Sequence, residues 1–371
     1  MTAQNPGTPD SPEREAEVNR QQGAPATQPG ETAAETTAAT AAVRQPRWRD
    51  YTAFVLSGGG ARGALQVGAL RALLEAGERP DLVIGTSVGA WNGAWLAMGP
   101  TLERMETMAR VWASVHPSQV LLGRERVAGG SSRQAIRGAL ALAAARNVTR
   151  DSPSLYSDVG LRQLLRRYYA GATFEALAVP LYIIATNLTD GARTVFASGA
   201  VGPALLASSA IPGIFPPVRI GDAVYVDGGA VENCGVELAL ALGARRIFAL
   251  DVGYDANLAT TQAWSGSDAS DERPQSRVRR LRVMTPHALA AVLERTTQVM
   301  SRYQLDHDLA HIPPGIEAHI IRPSTPSGGG ALDFDAAPGW IEHGYAFTRD
   351  YLARPAVEAS RRTIHENTWQ S

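Results

Sequence analysis

The chain has 371 residues, with 35 Lys+Arg against 36 Asp+Glu and a formal net charge of −1, which leaves no electrostatic case for nucleic-acid binding. Every one of those basic residues is arginine, alongside abundant alanine, a bias that GC-rich coding explains without invoking anion contacts. The single cysteine, Cys234, excludes an internal disulfide framework and fits a reducing compartment, and the length suits one large α/β domain or two small ones.

Residues 1–47 are rich in Ala, Thr, Pro, Gly, Gln and Glu and almost without large apolar side chains. Such a segment cannot bury enough surface to offset its ordering entropy, so a disordered tail is expected. It lacks the basic n-region and apolar h-region of a secretory signal, and no later run approaches the ~18 apolar residues of a membrane span. A cytoplasmic protein that meets membranes only at their surface is expected.

From residue 48 to about 355, strand and helix patterns alternate as a parallel sheet requires. Strands are predicted at 52–57, 81–86, 181–187, 193–197, 223–227, 246–252 and 317–322. Helices are predicted at 63–76, 88–98, 101–114, 134–146, 158–169, 200–209, 235–242, 286–303 and 339–353. Residues 117–157 interrupt the alternation and read as a mostly helical insertion beside the active-site mouth; 356–371 read as a C-terminal tail. An irregular loop at 256–282 opens acidic and ends basic, at Arg277, Arg279, Arg280 and Arg282. Two readings stand for that run: a contact with anionic headgroups, or a solvated loop.

Three strand ends carry the chemistry. The first predicted strand runs into Ser57-Gly58-Gly59-Gly60-Ala61-Arg62-Gly63, the second into Gly85-Thr86-Ser87-Val88-Gly89, and the fifth into Asp227-Gly228-Gly229. A serine on a tight strand-to-helix turn is a nucleophile elbow, and Gly85 and Gly89 remove side chains that would collide there. The run Gly58 to Gly63 opens a helix, where unpaired N–H groups and the helix dipole suit an oxyanion. The formal G-x-G-x-x-G match also admits a dinucleotide fingerprint, but the acidic candidate, Asp81, precedes the second strand instead of ending it. No Walker lysine exists.

On these motifs the chain resembles a bacterial patatin-like phospholipase. Two further stretches are similar to that family, Ala207-Ser208-Ser209-Ala210-Ile211-Pro212-Gly213-Ile214-Phe215-Pro216-Pro217 and Ala241-Leu242-Gly243-Ala244 through Asp251. The resemblance, over roughly residues 50 to 355, implies a three-layer α/β/α fold with a mostly parallel central sheet. It further implies a Ser87–Asp227 dyad that cleaves acyl esters of phospholipids or lysophospholipids through an acyl-enzyme, with neither metal nor cofactor. Gly58, Gly59, Gly60, Ala61, Arg62 and Gly63 would form the oxyanion loop, and Gly85, Gly89, Gly228 and Gly229 would shape the elbow and base motifs. The chain departs from the family at Asn233-Cys234-Gly235, where Asn-x-Pro is common, and Gly loosens a turn that Pro would stiffen. Other readings are an acyltransferase or thioesterase using the same dyad, and a lipid-binding module without activity. An α/β-hydrolase triad would draw its base from His287, His307, His311, His319 or His343, but that fold places several strands before its elbow. His307 and His311, spaced i, i+4 beside Asp306 and Asp308, read as a solvated helix face with no third ligand to complete a metal site.

Overall fold

The computed structural model describes residues 51–123, 133–148, 153–254, 286–326 and 330–354. The expected N- and C-terminal tails and the loop at 256–282, with its four arginines, lie outside the described residues. Eight strands form one sheet: β1 (Tyr51–Leu56), β2 (Leu82–Thr86), β3 (Leu181–Asn187), β4 (Arg193–Phe196), β5 (Val218–Ile220), β6 (Ala223–Asp227), β7 (Ala244–Leu250) and β8 (Glu317–Ile321). Their order is β5-β6-β3-β2-β1-β7-β8, with β4 also paired to β3. The run β3-β2-β1-β7-β8 is parallel throughout, whereas β4, β5 and β6 enter antiparallel.

The period-2 alternation of β1 explains the three layers. Phe54 and Leu56 point to one face and join Leu65, Leu70, Met105 and Trp340 in a core built from α1 (Gly63–Glu75), α2 (Val88–Ala97), α3 (Leu102–Ser114) and a C-terminal helix, Ala337–Leu352. Ala53 and Val55 point to the other face and meet α8 (Val236–Ala241) and Leu305 of α9 (Pro286–Ala310). The first layer also holds α4 (Pro117–Leu122), α6 (Val159–Tyr168) and α7 (Val201–Ser208), with α5 (Arg133–Val148) packed on α4; the helix at 337–352 is α10. Polar side chains at the strand ends tie the strands down as well. Asp81 accepts the Thr52 N–H through its carboxylate (2.8 Å) and donates its own N–H to Thr52 O (2.8 Å), a structural role that removes it from any ribose-binding part.

Three differences from the sequence reading have identifiable causes. The short strand β5 forms a hairpin with β6 across Gly221-Asp222, where Gly221 takes φ +58°, a two-residue turn signal of the usual kind. Within the interrupted stretch, Pro117 at the start of α4 and Gly123 at φ +63° after it define a helix of six residues. Helix α9 runs on to Ala310, because Leu305 is buried in the second core and Arg302 pairs with Asp306 one turn on (2.7 Å). Cys234 is buried, and burial pushes its thiol up, away from reactivity. No described helix is long and apolar enough to cross a membrane.

Candidate active site

Strand β1 lies between β2 and β7, and Leu56 at its end pairs with Gly85 on one side and Leu250 on the other. The chain leaves β1 toward β2 first and returns to its opposite side only at β7. The loops after these three strands therefore emerge together at a topological switch point, where open α/β sheets keep their ligand crevice.

Ser87 links β2 to α2 with φ +54° and ψ −126°, and it is the one non-glycine residue with positive φ among those described. A side chain in that region costs of order 1–3 kcal/mol and persists only where its surroundings over-determine it. Here they do. A Cβ at Gly89 would fall 2.2 Å from the Leu56 carbonyl oxygen, and one at Gly85 would fall 2.6 Å from the Ala90 Cα. Only glycine lets α2 turn this sharply across the ends of β1 and β2. Ser87 is the N-cap of α2, yet its hydroxyl caps no helix N–H, so the oxygen is left for other work.

Asp227 reaches Ser87 through an unusual sharing of one strand edge. Residues Leu181 to Ile184 of β3 pair with β2, Ile183 to Thr186 with β4, and Ala185 to Asn187 with β6. Because the β4 segment overlaps both others, β2 and β6 must occupy the same edge of β3, end to end and running toward each other. Thr86 is opposite Ile184 and Asp227 is opposite Ala185, so the last residues of the two strands meet head-on. A Cβ at Gly228 would lie 2.3 Å from the Ile184 oxygen and 2.9 Å from the Thr86 methyl, which leaves room only for glycine.

The Asp227 carboxyl is buried. Its Oδ1 accepts the Gly229 N–H (2.8 Å), while Oδ2 has no hydrogen-bond partner among the described residues. Burial pushes its pKa up to about 6, and the Ser87 hydroxyl and the Gly229 N–H pull part of that rise back. Ser87 is thus close enough to favour the carboxylate, although the pair does not close a full hydrogen bond here, as is common in unliganded sites.

The glycine loop presents its backbone selectively. The N–H groups of Gly58, Ala61, Arg62 and Gly63 donate to protein carbonyls, those of Asn233, Ala331, Gly59 and Gly60 respectively. Gly59 and Gly60 N–H have no partner among the described residues. A Cβ at Gly58 would stand 3.0 Å from the Ser87 Cβ, so the loop lies directly against the elbow, and Gly60 takes φ +59°.

Side chains that the sequence reading did not single out hold this loop. The fully buried Gln66 donates to Ser57 O (2.8 Å) and Leu250 O (3.2 Å) and accepts from Asn92, whose Nδ2 also bonds Gly63 O (2.9 Å each). Trp112 completes the chain by donating to Asn92 Oδ1 (3.1 Å). Asn233 donates to Ser301 Oγ (2.6 Å) and Gly58 O (3.3 Å). A buried amide three residues into a helix that starts at a Gly-rich turn is a legible signal for Gln66. Asn233 needs the fold. Arg62, expected to aid an oxyanion, instead spends its charge on Glu294 (2.8 Å) and its Nε–H on Val252 O (3.0 Å). The looser turn expected at Gly235 is held by packing, because a Cβ there would meet Ile84 at 2.6 Å and Ile184 at 2.8 Å.

Ser87 and Gly60 open into a cleft, partly exposed to solvent and lined mainly by apolar and aromatic groups, among them Trp91, Trp95, Trp112, Tyr169, Leu161 and Phe334. Part of the wall comes from α4 and α6, at the edges of the stretch read as an insertion. No histidine lines the cleft or bonds to Ser87 or Asp227 among the described residues. His319 is engaged by Phe248, Glu317 and Tyr351, and His307 packs against His311 with tilted rings, 4.3 Å between centroids.

Residues 54–240 match the family model of patatin-like phospholipases, a span that contains both Gly-rich turns and Asp227. The chain belongs to the patatin-like phospholipase family. Among curated members, patatin-like phospholipase domain-containing protein 7 of Rattus norvegicus is 31% identical over 204 residues, 54% of this chain and 13% of that one. Lysophospholipase nte1 of Aspergillus terreus is 30% identical over 307 residues, 81% of this chain and 18% of that one. The chain thus spans under a fifth of the patatin-like relatives it matches. These are animal and fungal proteins, so they carry the family but not the bacterial origin expected from the sequence. Among solved structures, that of VipD from Legionella pneumophila aligns with TM-score 0.40 and 13% identity, covering 81% of this patatin-like chain and 66% of VipD.

Proposed function

We propose that the protein is a serine acyl hydrolase for fatty-acyl esters of phospholipids or lysophospholipids, with Ser87 as nucleophile and Asp227 as its base. The observation that carries this reading is the head-on meeting of β2 and β6. It sets a buried carboxylate with one unpartnered oxygen beside a serine strained outward, next to two unused backbone N–H groups. The family match supports the ester-cleaving class, the name of the fungal relative supports lysophospholipids, and the apolar cleft suits an acyl chain.

In this mechanism Asp227, ionised above about pH 6, takes the Ser87 proton as Oγ attacks the ester carbonyl. The tetrahedral oxyanion is bound by Gly59 and Gly60 N–H, donors already fixed before reaction. The alcohol or lysolipid leaves with the proton from Asp227. Water then attacks the acyl-Ser87, again with Asp227 as base. The loop-fixing amides matter because a lone carboxylate is a weak base and the oxyanion donors must supply much of the rate.

The test is direct. A fluorophosphonate should add one covalent mass to the wild-type protein at Ser87 and none to Ser87→Ala, and mass spectrometry of a phospholipid, lysophospholipid and thioester panel should show fatty acid released from the glycerolipids. Labelling that persists in Ser87→Ala would exclude this nucleophile.

A further inference from the structure

The backbone of the elbow is held by a hydroxyl that stands in for a sheet hydrogen bond. The β2–β3 ladder places the Val83 N–H on Pro180 O (2.9 Å) and pairs Thr86 with Ile184. Parallel rungs advance two residues at a time on each strand, so the rung two steps beyond Val83 would set the Ser87 N–H on Ile184 O. That bond is not made. Ser208, the last residue of α7, occupies the gap: its Oγ accepts the Ser87 N–H at 2.8 Å and donates to Ile184 O at 2.6 Å.

Several features make this arrangement specific. Ser208 is fully buried, so its hydroxyl has no solvent alternative. Direct pairing of Ser87 with Ile184 would continue β2 as a strand, whereas the inserted oxygen lets the chain turn at Ser87 into φ +54°. The same Ile184 carbonyl lies under Gly228, where the β6 end crosses toward β2. One hydroxyl therefore separates β2 from β3 at the point where Asp227 must enter. The neighbouring serine serves the cleft instead, since Ser209 Oγ accepts the Trp91 Nε1–H at 2.7 Å and lines the cavity.

We infer that Ser208 is a positioning residue for acyl transfer, whose hydroxyl replaces the terminal rung of the β2–β3 ladder and sets the Ser87 Oγ in line with both Asp227 and the Gly59–Gly60 donors. It touches no substrate and transfers no proton. The inference rests on Ser87 being the nucleophile. Without the hydroxyl, the Ser87 N–H and the Ile184 carbonyl are left to repair the ladder directly, which draws the elbow back toward strand geometry and away from Asp227.

The test compares wild type, Ser208→Ala and Ser208→Cys on a short soluble ester and by the second-order rate of fluorophosphonate labelling, with melting temperature recorded for each. Misplacement of a reacting group by about 1 Å can cost 10²-fold, so Ser208→Ala should lower kcat and the labelling rate together by about 10- to 100-fold, with KM unchanged and full final labelling. A thiol fills the same space and bonds more weakly, so Ser208→Cys should fall between the two. A folded Ser208→Ala that labels within threefold of wild type, or loses only KM, would overturn the inference. If Ser208→Ala does not fold, a Ser208→Cys enzyme with the wild-type rate would reduce the hydroxyl to a purely structural part and overturn it equally. Wild-type protein that does not label at Ser87 would bring down the nucleophile assignment, and this inference with it, a result distinct from either of the others.

Discussion

The two Gly-rich turns, after β1 and after β2, are alike in composition and opposite in design. The first is a loop whose side chains are absent and whose backbone is the useful part. Ser57, Gln66, Asn92 and Asn233 grip it from the side, and four of its amides bond to protein while two are left over. In the second turn the backbone is consumed, with the Ser87 N–H held by Ser208, and one side chain is pushed outward. Glycine serves both, in the first by leaving the main chain open to close approach and in the second by clearing space around a strained serine. Motif composition therefore marks a tight turn, and the surrounding hydrogen bonds decide which part of the turn is offered.

The largest expected effect comes from removing Asp227, the proposed base, which lies where the two turns meet. Asp227→Asn should lower kcat by about 10²- to 10⁴-fold, the usual scale for general acid–base loss. Its stability should change the other way, and with pH. The folded protein holds the Asp227 proton up to about pH 6, whereas the unfolded chain releases it near 3.8. Between those values the folded state binds more protons, so stability falls as pH rises through that window. Roughly two pK units correspond to a loss of about 3 kcal/mol, complete above pH 6 and absent below pH 4. Melting curves should therefore show Asp227→Asn more stable than wild type at pH 8 and indistinguishable at pH 3.5. In the wild type, kcat/KM should rise with pH through about 6 and then level off.

Gly60→Ala attacks the first turn alone. The new methyl would sit 2.3 Å from the Ala331 carbonyl oxygen at a positive φ, so the donor must move. Losing one oxyanion donor costs roughly 10²- to 10³-fold in kcat, and a displaced donor should approach the lower figure. KM for long-chain esters should change as well, because Ala331 lines the cleft. A kcat within threefold of wild type would assign oxyanion binding elsewhere.

Gln66→Leu loosens the grip on that turn without touching it. The buried Ser57 carbonyl loses its Gln66 donor and Asn92 loses an acceptor, while Leu250 O keeps the Ser57 N–H; the change should cost about 1–3 kcal/mol in denaturant unfolding. The loss in kcat should stay well below that of Gly60→Ala. The smallest effect is expected at the histidines. Single replacements of His287, His307, His311, His319 and His343 should each leave kcat within about threefold, far short of the loss that removal of a general base produces. A collapse in one folded variant would restore a triad.

Much of the architecture could be read along the chain. The alternation of β1, the caps of α4 and the glycines around Ser87 are local facts, and local rules interpret them. Two of the elements that were missed or misjudged depend on more distant neighbours for their length. Helix α9 extends because Leu305 finds the second core, and β5 exists because β6 lies beside it. The site shows the same division. Ser87, Asp227 and the glycine run are named by their motifs, whereas Arg62 is withdrawn from the site by Glu294, 232 residues away.

The glycine-flanked serine, the glycine run and the Asp-Gly-Gly, each at a strand end, were legible from the residues alone. These signals depend on glycine spacing and strand periodicity, which act over a few residues. The assembled sheet brings the three ends together. It does so by laying β2 and β6 along one edge of β3 and inserting the Ser208 hydroxyl where the ladder would have continued. Strand pairing is non-local: register and edge sharing follow from the packing of the whole sheet, and no local pattern encodes which two strand ends will face each other.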